Sequence, residues 1–218
     1  MHATTTRGDR ARQEILAAAR AILLERGVDG LSLREVARRA EYSPGALYNH
    51  FADKNALVAA VAMECIGTLG RYLGPVPPAA APDRLRNLGL AYVRFAAENP
   101  AEYAVIFDCL SNPPQPWDEY VRIARPFAVI VEACEQGLTE GSLTDAHGIG
   151  ASGLAYALWA LVDGHVHLRA KHLAQVDGDY DAMFLAGLDA LLRGMTPLPA
   201  QPGDPTRQSH SPRKGASR

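Results

Sequence analysis

From Arg10 to Arg26 apolar residues return every three or four positions, with Ile15, Ala18, Ala19, Ile22 and Leu23 along one stripe and Gly27 after it. That period predicts a helix with one buried face, closed by a glycine that can take the left-handed turn. In "LSLREVARRA", Ser32 stands where an N-cap belongs and Glu35 follows three residues later. This predicts a capping box, with Leu31 and Val36 as the flanking apolar pair. Val36, Ala37 and Ala40 are expected inside, and Arg34, Arg38 and Arg39 outside. "YSPGALYNHFADK" repeats the device, with Ser43 as cap, Pro44 in a first turn that needs no N–H, and Tyr42 paired with Leu47. Asp53 then caps a further helix whose first turn holds Lys54. The reading is two short helices, about 33–40 and 44–50, joined by a tight turn and flanked by longer ones.

No stretch alternates apolar and polar residues, so the predicted class is all-α. Further helices are expected at about 83–98, 101–109, 117–137, 146–172 and 178–194. In the helix at 146–172, Leu154, Leu158, Leu161 and Leu168 stand at helical spacing with small residues between. In the helix at 178–194 the stripe is Phe184, Leu188, Leu191 and Leu192. "GPVPPAAAPD" and "SNPPQPWD" read as loops, and Pro126 is expected to kink or split its helix. The tail from Thr196 is rich in Pro, Ser and Gly and predicts disorder. The expected organisation is a flexible arm (1–9), a helix-turn-helix unit (10–55), a regulatory and dimerisation body (56–195) and the tail (196–218).

Composition changes this picture little. Hydrophobic residues make up 48 % and charged residues 21 % of the 218, as in ordinary globular chains. No run of eighteen apolar residues occurs, and the start lacks a signal-type apolar core, so neither a membrane partner nor export is expected. Three scattered cysteines (Cys65, Cys109, Cys134) without a CxxC suit reduced thiols in the cytoplasm. Charge is uneven. Residues 1–55 hold nine Lys/Arg against seven Asp/Glu (+2), residues 56–200 nine against sixteen (−7), and residues 201–218 four against one (+3). A basic end on an acidic body suits a chain of which one end meets a polyanion, and ordinary scatter accounts for it as well.

Two short helices with a tight turn, braced by a longer helix, form a helix-turn-helix arrangement, whose second helix enters the major groove. With Leu47 and Phe51 buried at i and i+4, Pro44, Gly45, Ala46, Tyr48, Asn49 and His50 face outward or flank the surface. Small residues at the leading edge allow close approach, and Tyr48, His50 and Lys54 offer donors at phosphate height. Spacing and caps alone leave an ordinary solvated helix pair equally open.

The stretches "ILAAARAILLERGVDGLSLREVARRA" and "YSPGALYNHFADKNAL" resemble the DNA-binding domain of the TetR family of bacterial transcriptional regulators over residues 10–57. The most specific part is Leu47-Tyr48-x-His50-Phe51-x-Asp53-Lys54-x-x-Leu57. The resemblance implies an all-helical homodimer with an N-terminal three-helix domain and a larger C-terminal regulatory domain. Its partners would be a double-stranded, pseudopalindromic operator and a small-molecule effector, with repression the usual mode and no cofactor. By position, Tyr48, His50 and Lys54 would bind phosphates. Arg34, Ser43, Pro44, Gly45, Ala46 and Asn49 would lie nearest the bases, with Ser32 on the same surface. Glu41 stands where the family usually has glycine. If that position is left-handed, a side chain there costs roughly 1 kcal/mol.

"WALVDGHVHL" is similar to a C-terminal subtype marked by Trp-x-x-x-His-Gly, with Asp163 in place of the His. The family implies a ligand pocket in this body. Its candidates are Tyr103, Phe107, Trp117, Tyr120, Phe127, Tyr156 and Trp159, with Asp163; for most of these aromatics core packing is the more frequent role. The helices at 149–172 and 178–194 suit an intersubunit four-helix bundle, or packing within one subunit. Asp163, His165, His167 and His172 raise the question of a metal. No HExxH and no third ligand accompany them, so a solvated or interfacial cluster is the expectation. Nucleophile elbow, P-loop and paired catalytic carboxylates are absent, so no catalysis is expected. The alternative is a helical dimer that binds a small molecule or metal with sequence-specific DNA binding weak or lost.

Overall fold

The structure is a computed structural model, and it describes residues 7–74, 79–111 and 125–197. Its helices are α1 (Arg7–Arg26), α2 (Leu33–Arg39), α3 (Pro44–Tyr48), α4 (Lys54–Leu73), α5 (Ala81–Glu98), α6 (Pro100–Ser111), α7 (Arg125–Glu140), α8 (Gly150–Lys171) and α9 (Tyr180–Gly194). No strand occurs among the described residues, and the class is all-α.

Of the expected α1 stripe, Ile15, Ala19, Ile22 and Leu23 are buried; Ala18 is half-buried, and Leu16, next to Ile15, is buried as well. The helix packs on α2 and α4, and Leu31, Val36, Ala37, Leu47, Phe51, Leu57 and Val61 complete that core. Gly27 ends α1 at φ 70°, its N–H donating to the Leu23 carbonyl at 2.8 Å. Residues 7–9, expected in the arm, are the first turn of α1; residues 1–6 and the tail from 198 lie outside the described residues. By length and composition α4 could cross a membrane, with a mean hydropathy of 1.4. Half of it is buried, however, because Leu57, Val61, Ala62, Cys65, Leu69 and Leu73 face α1, α5 and α6. Its apolarity is that of a core helix.

In the body, α5 touches α4, α6, α7, α8 and α9. Gly89 lets two of them close in, since a Cβ there would stand 3.3 Å from Val162 and 3.6 Å from Leu188. The buried stripe of α8 does not follow the row of leucines throughout. Leu154, Leu158, Val162 and Val166 are buried, Leu161 is half-buried, and Leu168 is 49 % exposed. A four-residue step from Leu158 keeps Val162 on the inner face, whereas Leu168 has rotated off it. On α9, Phe184, Leu188 and Leu192 are buried and Leu191 is half-buried. Pro126 is the second described residue of α7, so the expected kink or split there falls at the edge of the described residues. Residues 117–124 of that expected helix lie outside the described residues. Helix α8 starts at Gly150 and not near 146. Gly148 and Gly150 take φ of 67° and 68°, and the Asp145 carboxylate accepts from the N–H groups of Ile149 (2.9 Å) and Gly150 (2.7 Å). Those donors hold the Asp145 carboxyl below its ordinary range. Cys65 and Cys134 are free and buried, and desolvation pushes each thiol up to about 11.

Candidate functional site

The short helix α3 is assembled locally. The Ser43 hydroxyl accepts from the Ala46 N–H at 3.2 Å, and Pro44 occupies the first turn. The helix ends at Tyr48 and not at 50, since the N–H groups of His50 and Phe51 both return to the Leu47 carbonyl at 3.0 Å. Leu47 and Phe51 are buried as their spacing requires. Ser43, Pro44, Gly45, Tyr48 and Asn49 are therefore exposed, and Ala46 and His50 half-buried. Tyr48 is the most open of the aromatics here, at 57 %.

The expected capping box does not form. Ser32 has the extended backbone of an N-cap, φ −123°, but its hydroxyl makes no cap bond. Glu35 is held instead by Arg38 in two bonds of 2.7 and 2.8 Å and by Arg39 at 3.2 Å. Two guanidinium groups outcompete one backbone N–H for a carboxylate, and they pull its pKa down to about 2. After α2 the Tyr42 N–H donates to the Ala37 carbonyl (2.9 Å) and the Glu41 N–H to the Arg38 carbonyl (3.3 Å). This is a Schellman closure, which needs a left-handed residue at Glu41. Glu41 adopts it at φ 60°, the one non-glycine among the described residues to do so.

Most cations near α2 and α3 are already engaged. Arg10 pairs with Glu14 (2.9 Å), Arg39 with Glu25 (2.8 Å), and Arg12 lies 5.0 Å over the Phe51 ring. Arg34, exposed on α2, has no ion pair among the described residues, nor has Lys54. Lys54 opens α4, just after Asp53 caps it through the Ala56 N–H at 2.7 Å.

In the body, Asp163 Oδ1 accepts from the hydroxyls of Tyr92 (2.6 Å) and Tyr103 (3.1 Å). Burial and the neighbouring carboxylate push both phenols far above their ordinary range. Tyr103 stacks with Phe107 at 6.4 Å, Phe107 meets the His167 ring at 4.9 Å, and Phe127 meets Trp159 at 5.7 Å. Tyr103, Phe107, Phe127, Trp159 and Asp163 thus belong to connected surroundings, while Tyr156 is 62 % exposed. Trp117 and Tyr120 lie outside the described residues. Tyr92 was not among the sequence candidates. Its place after Leu85 and Leu88 and before Phe95 is the signal that puts it on the inner face of α5.

The acidic and histidine cluster of α8 is dispersed by helical rotation. Asp163 turns to the two tyrosines, and His165 stacks on Phe184 at 4.3 Å with Asp181 at 3.6 Å. His167 meets Phe107, with the His172 ring 5.9 Å away. Burial lowers the His165 pKa. Among the described residues no three of His, Cys, Asp or Glu stand together as a metal site.

Residues 15–61 match the family described as bacterial regulatory proteins, tetR family, and residues 85–191 match the tetracyclin repressor-like C-terminal domain. Over 59 residues the chain is 37 % identical to the HTH-type transcriptional regulator UidR of Escherichia coli (strain K12), covering 27 % of this chain and 30 % of that protein. Over 83 residues it is 31 % identical to the tetracycline repressor protein class D of Escherichia coli, 38 % of each chain. It therefore spans about a third of the length of these curated relatives. A crystal structure of a bacterial regulatory protein in the tetR family from Rhodococcus RHA1 superimposes with a TM-score of 0.61 at 26 % identity, covering 86 % of this chain and 97 % of that one.

Proposed function

The chain belongs to the TetR family of bacterial regulatory proteins, and on that premise we propose that it is a sequence-specific DNA-binding transcriptional regulator. It acts in the cytoplasm as a repressor, binds a pseudopalindromic operator as a homodimer, and is released by a small-molecule effector. Residues 10–55 form the reading head and residues 56–195 the regulatory and dimerisation body. The observation that carries this reading is the pair of unengaged cations, Arg34 and Lys54, on either side of a helix whose exposed leading edge is Pro44-Gly45. A bare backbone edge lets α3 approach the groove, and cations without internal partners exchange only water and counterions for phosphates or bases.

Within that reading Lys54, Tyr48 and His50 meet phosphates. Arg34 and Asn49 read base edges, while Pro44 and Ala46 offer apolar contact to a thymine methyl. Ser32, Ser43 and Gly45 flank them. Support for the homodimer comes from the apolar side chains that α8 and α9 leave open, with Tyr156 at 62 %, Leu168 at 49 % and Met183 at 64 % exposure. No catalytic step enters this reading. The test is fluorescence anisotropy of the purified protein on DNA from upstream of its own coding region, with random DNA as control, across a salt series. Nanomolar binding that survives competitor, with one dimer per site, is the expected outcome. Equal, steeply salt-dependent binding to both DNAs at every candidate site would sink it.

A further inference from the structure

Asp163 is a carboxylate with no ion-pair partner among the described side chains. It is half-buried and its Oδ1 takes two phenolic hydrogen bonds. Neither phenol brings a positive charge, and among the described side chains no Lys, Arg or His pairs with this carboxylate. A partly desolvated carboxylate without a counter-charge is costly unless something cationic joins it. Its neighbours are suited to such a guest. Trp159 and His167 lie four residues before and after it on one face of α8, and Tyr92, Tyr103 and Phe107 supply further rings. The His167 Nδ1 is buried with no hydrogen-bond partner, so the surroundings also hold an unused polar atom.

Resting on the regulator reading, we propose that this cluster recognises the effector and that the effector is a small organic cation, an amine or quaternary ammonium. Its positive charge meets Asp163, and its alkyl groups lie against the aromatic faces, whose quadrupoles attract cations. An anion would face the Asp163 charge. A metal ion would find too few ligands, since the described residues gather no three of His, Cys, Asp or Glu.

The test is calorimetry without DNA on the full chain. The titrants are choline, tetraethylammonium and benzyltrimethylammonium, with 3,3-dimethylbutan-1-ol as the uncharged isostere of choline and Zn²⁺ as the metal control. We expect at least one cation to bind, choline to exceed its isostere by about tenfold or more, and Asp163→Asn to abolish that preference. The asparagine keeps a carbonyl acceptor for both tyrosines, and thermal unfolding checks its fold; if it does not fold, the choline–isostere comparison in the wild type decides. Equal binding of choline and isostere, no cation binding at millimolar concentration, or Zn²⁺ alone binding each overturns the assignment. So does retention of the preference by Asp163→Asn. Operator affinity is then measured with the bound cation, and an unchanged value overturns its role as effector. A protein that takes the cation through Asp163 but reads no operator defeats the regulator reading and leaves the cation site standing. One that reads its operator and ignores every cation does the reverse.

Discussion

At the scale of single residues, the proposed reading surface rests on which charges the fold has already used. Glu35 and Glu25 occupy Arg38 and Arg39, and Glu14 occupies Arg10. Arg34 and Lys54 remain. If Arg34 reads a guanine edge, Arg34→Ala should lose about 1–3 kcal/mol on the operator with little change on random DNA. Lys54→Ala should instead weaken both DNAs alike and lower the salt slope by about one phosphate. Salt titrations by anisotropy separate the two, and equal loss of discrimination in both variants refutes that division. Glu41 tests the backbone. A left-handed non-glycine residue costs about 1–2 kcal/mol, and a glycine there adds back about 0.5–1 kcal/mol in unfolded-chain entropy. Glu41→Gly should therefore stabilise by about 0.5–1 kcal/mol, a rise in Tm of about 2 °C by circular dichroism. An unchanged or lower Tm would show that the turn carries no strain.

Among the elements, apolar periods and cap residues together placed the described helices, and most errors of extent fall at helix ends. The start of α8 moved because two glycines and the Asp145 carboxylate close the loop before it. That carboxylate is one short polar residue in a stretch rich in turn formers, and its reach to Gly150 is not visible in a pattern of apolar positions. Close approach of elements is equally silent in sequence. Gly137 on α7 looks like a helix-weakening residue, yet a Cβ there would fall 2.5 Å from Leu143 Cδ1 and 2.6 Å from the Ala81 Cβ. Gly137→Ala gains about 1 kcal/mol of helix propensity and meets about 1–3 kcal/mol of overpacking against Ala81, whose Cβ cannot rotate away. A net loss of about 1 kcal/mol is expected in urea unfolding. Combining it with Leu143→Ala should recover part of the clash term, and strict additivity would disprove the contact.

For the whole molecule, the head and body are tied by a charge pair between α1 and α6, Arg20 to Glu102. Glu102 is 8 % exposed and its second oxygen has no partner, whereas the Arg20 side chain is 35 % exposed. A fully buried pair would cost 3–5 kcal/mol to break, but the open side of Arg20 lets water screen it, so the coupling should be about 1 kcal/mol. A double-mutant cycle with Arg20→Ala and Glu102→Ala measures this by urea unfolding. Additive losses would mean that the pair does not link the two parts. The residue after Glu102 is Tyr103, which reaches Asp163, so α6 touches both α1 and the cluster proposed to take the effector.

The sequence alone determined what is local in cause. A serine cap, a proline in a first turn and an i, i+4 apolar pair act within a few residues of chain, so α3, its buried Leu47 and Phe51 and its exposed edge were legible before any fold was known. Glu41 was legible as a departure, and only the backbone showed that the turn holds it left-handed. Tertiary structure decided the partners of charged and polar side chains. Glu35 pairs locally with Arg38 and Arg39, three and four residues on, but Arg39 also reaches Glu25 on α1, 14 residues away. Asp163 found Tyr103 and Tyr92 at separations of 60 and 71 residues, and Glu102 found Arg20 at 82. Periodicity reports which face of a helix is turned inward. What that face meets depends on how helices far apart in the chain pack, and no local spacing encodes it.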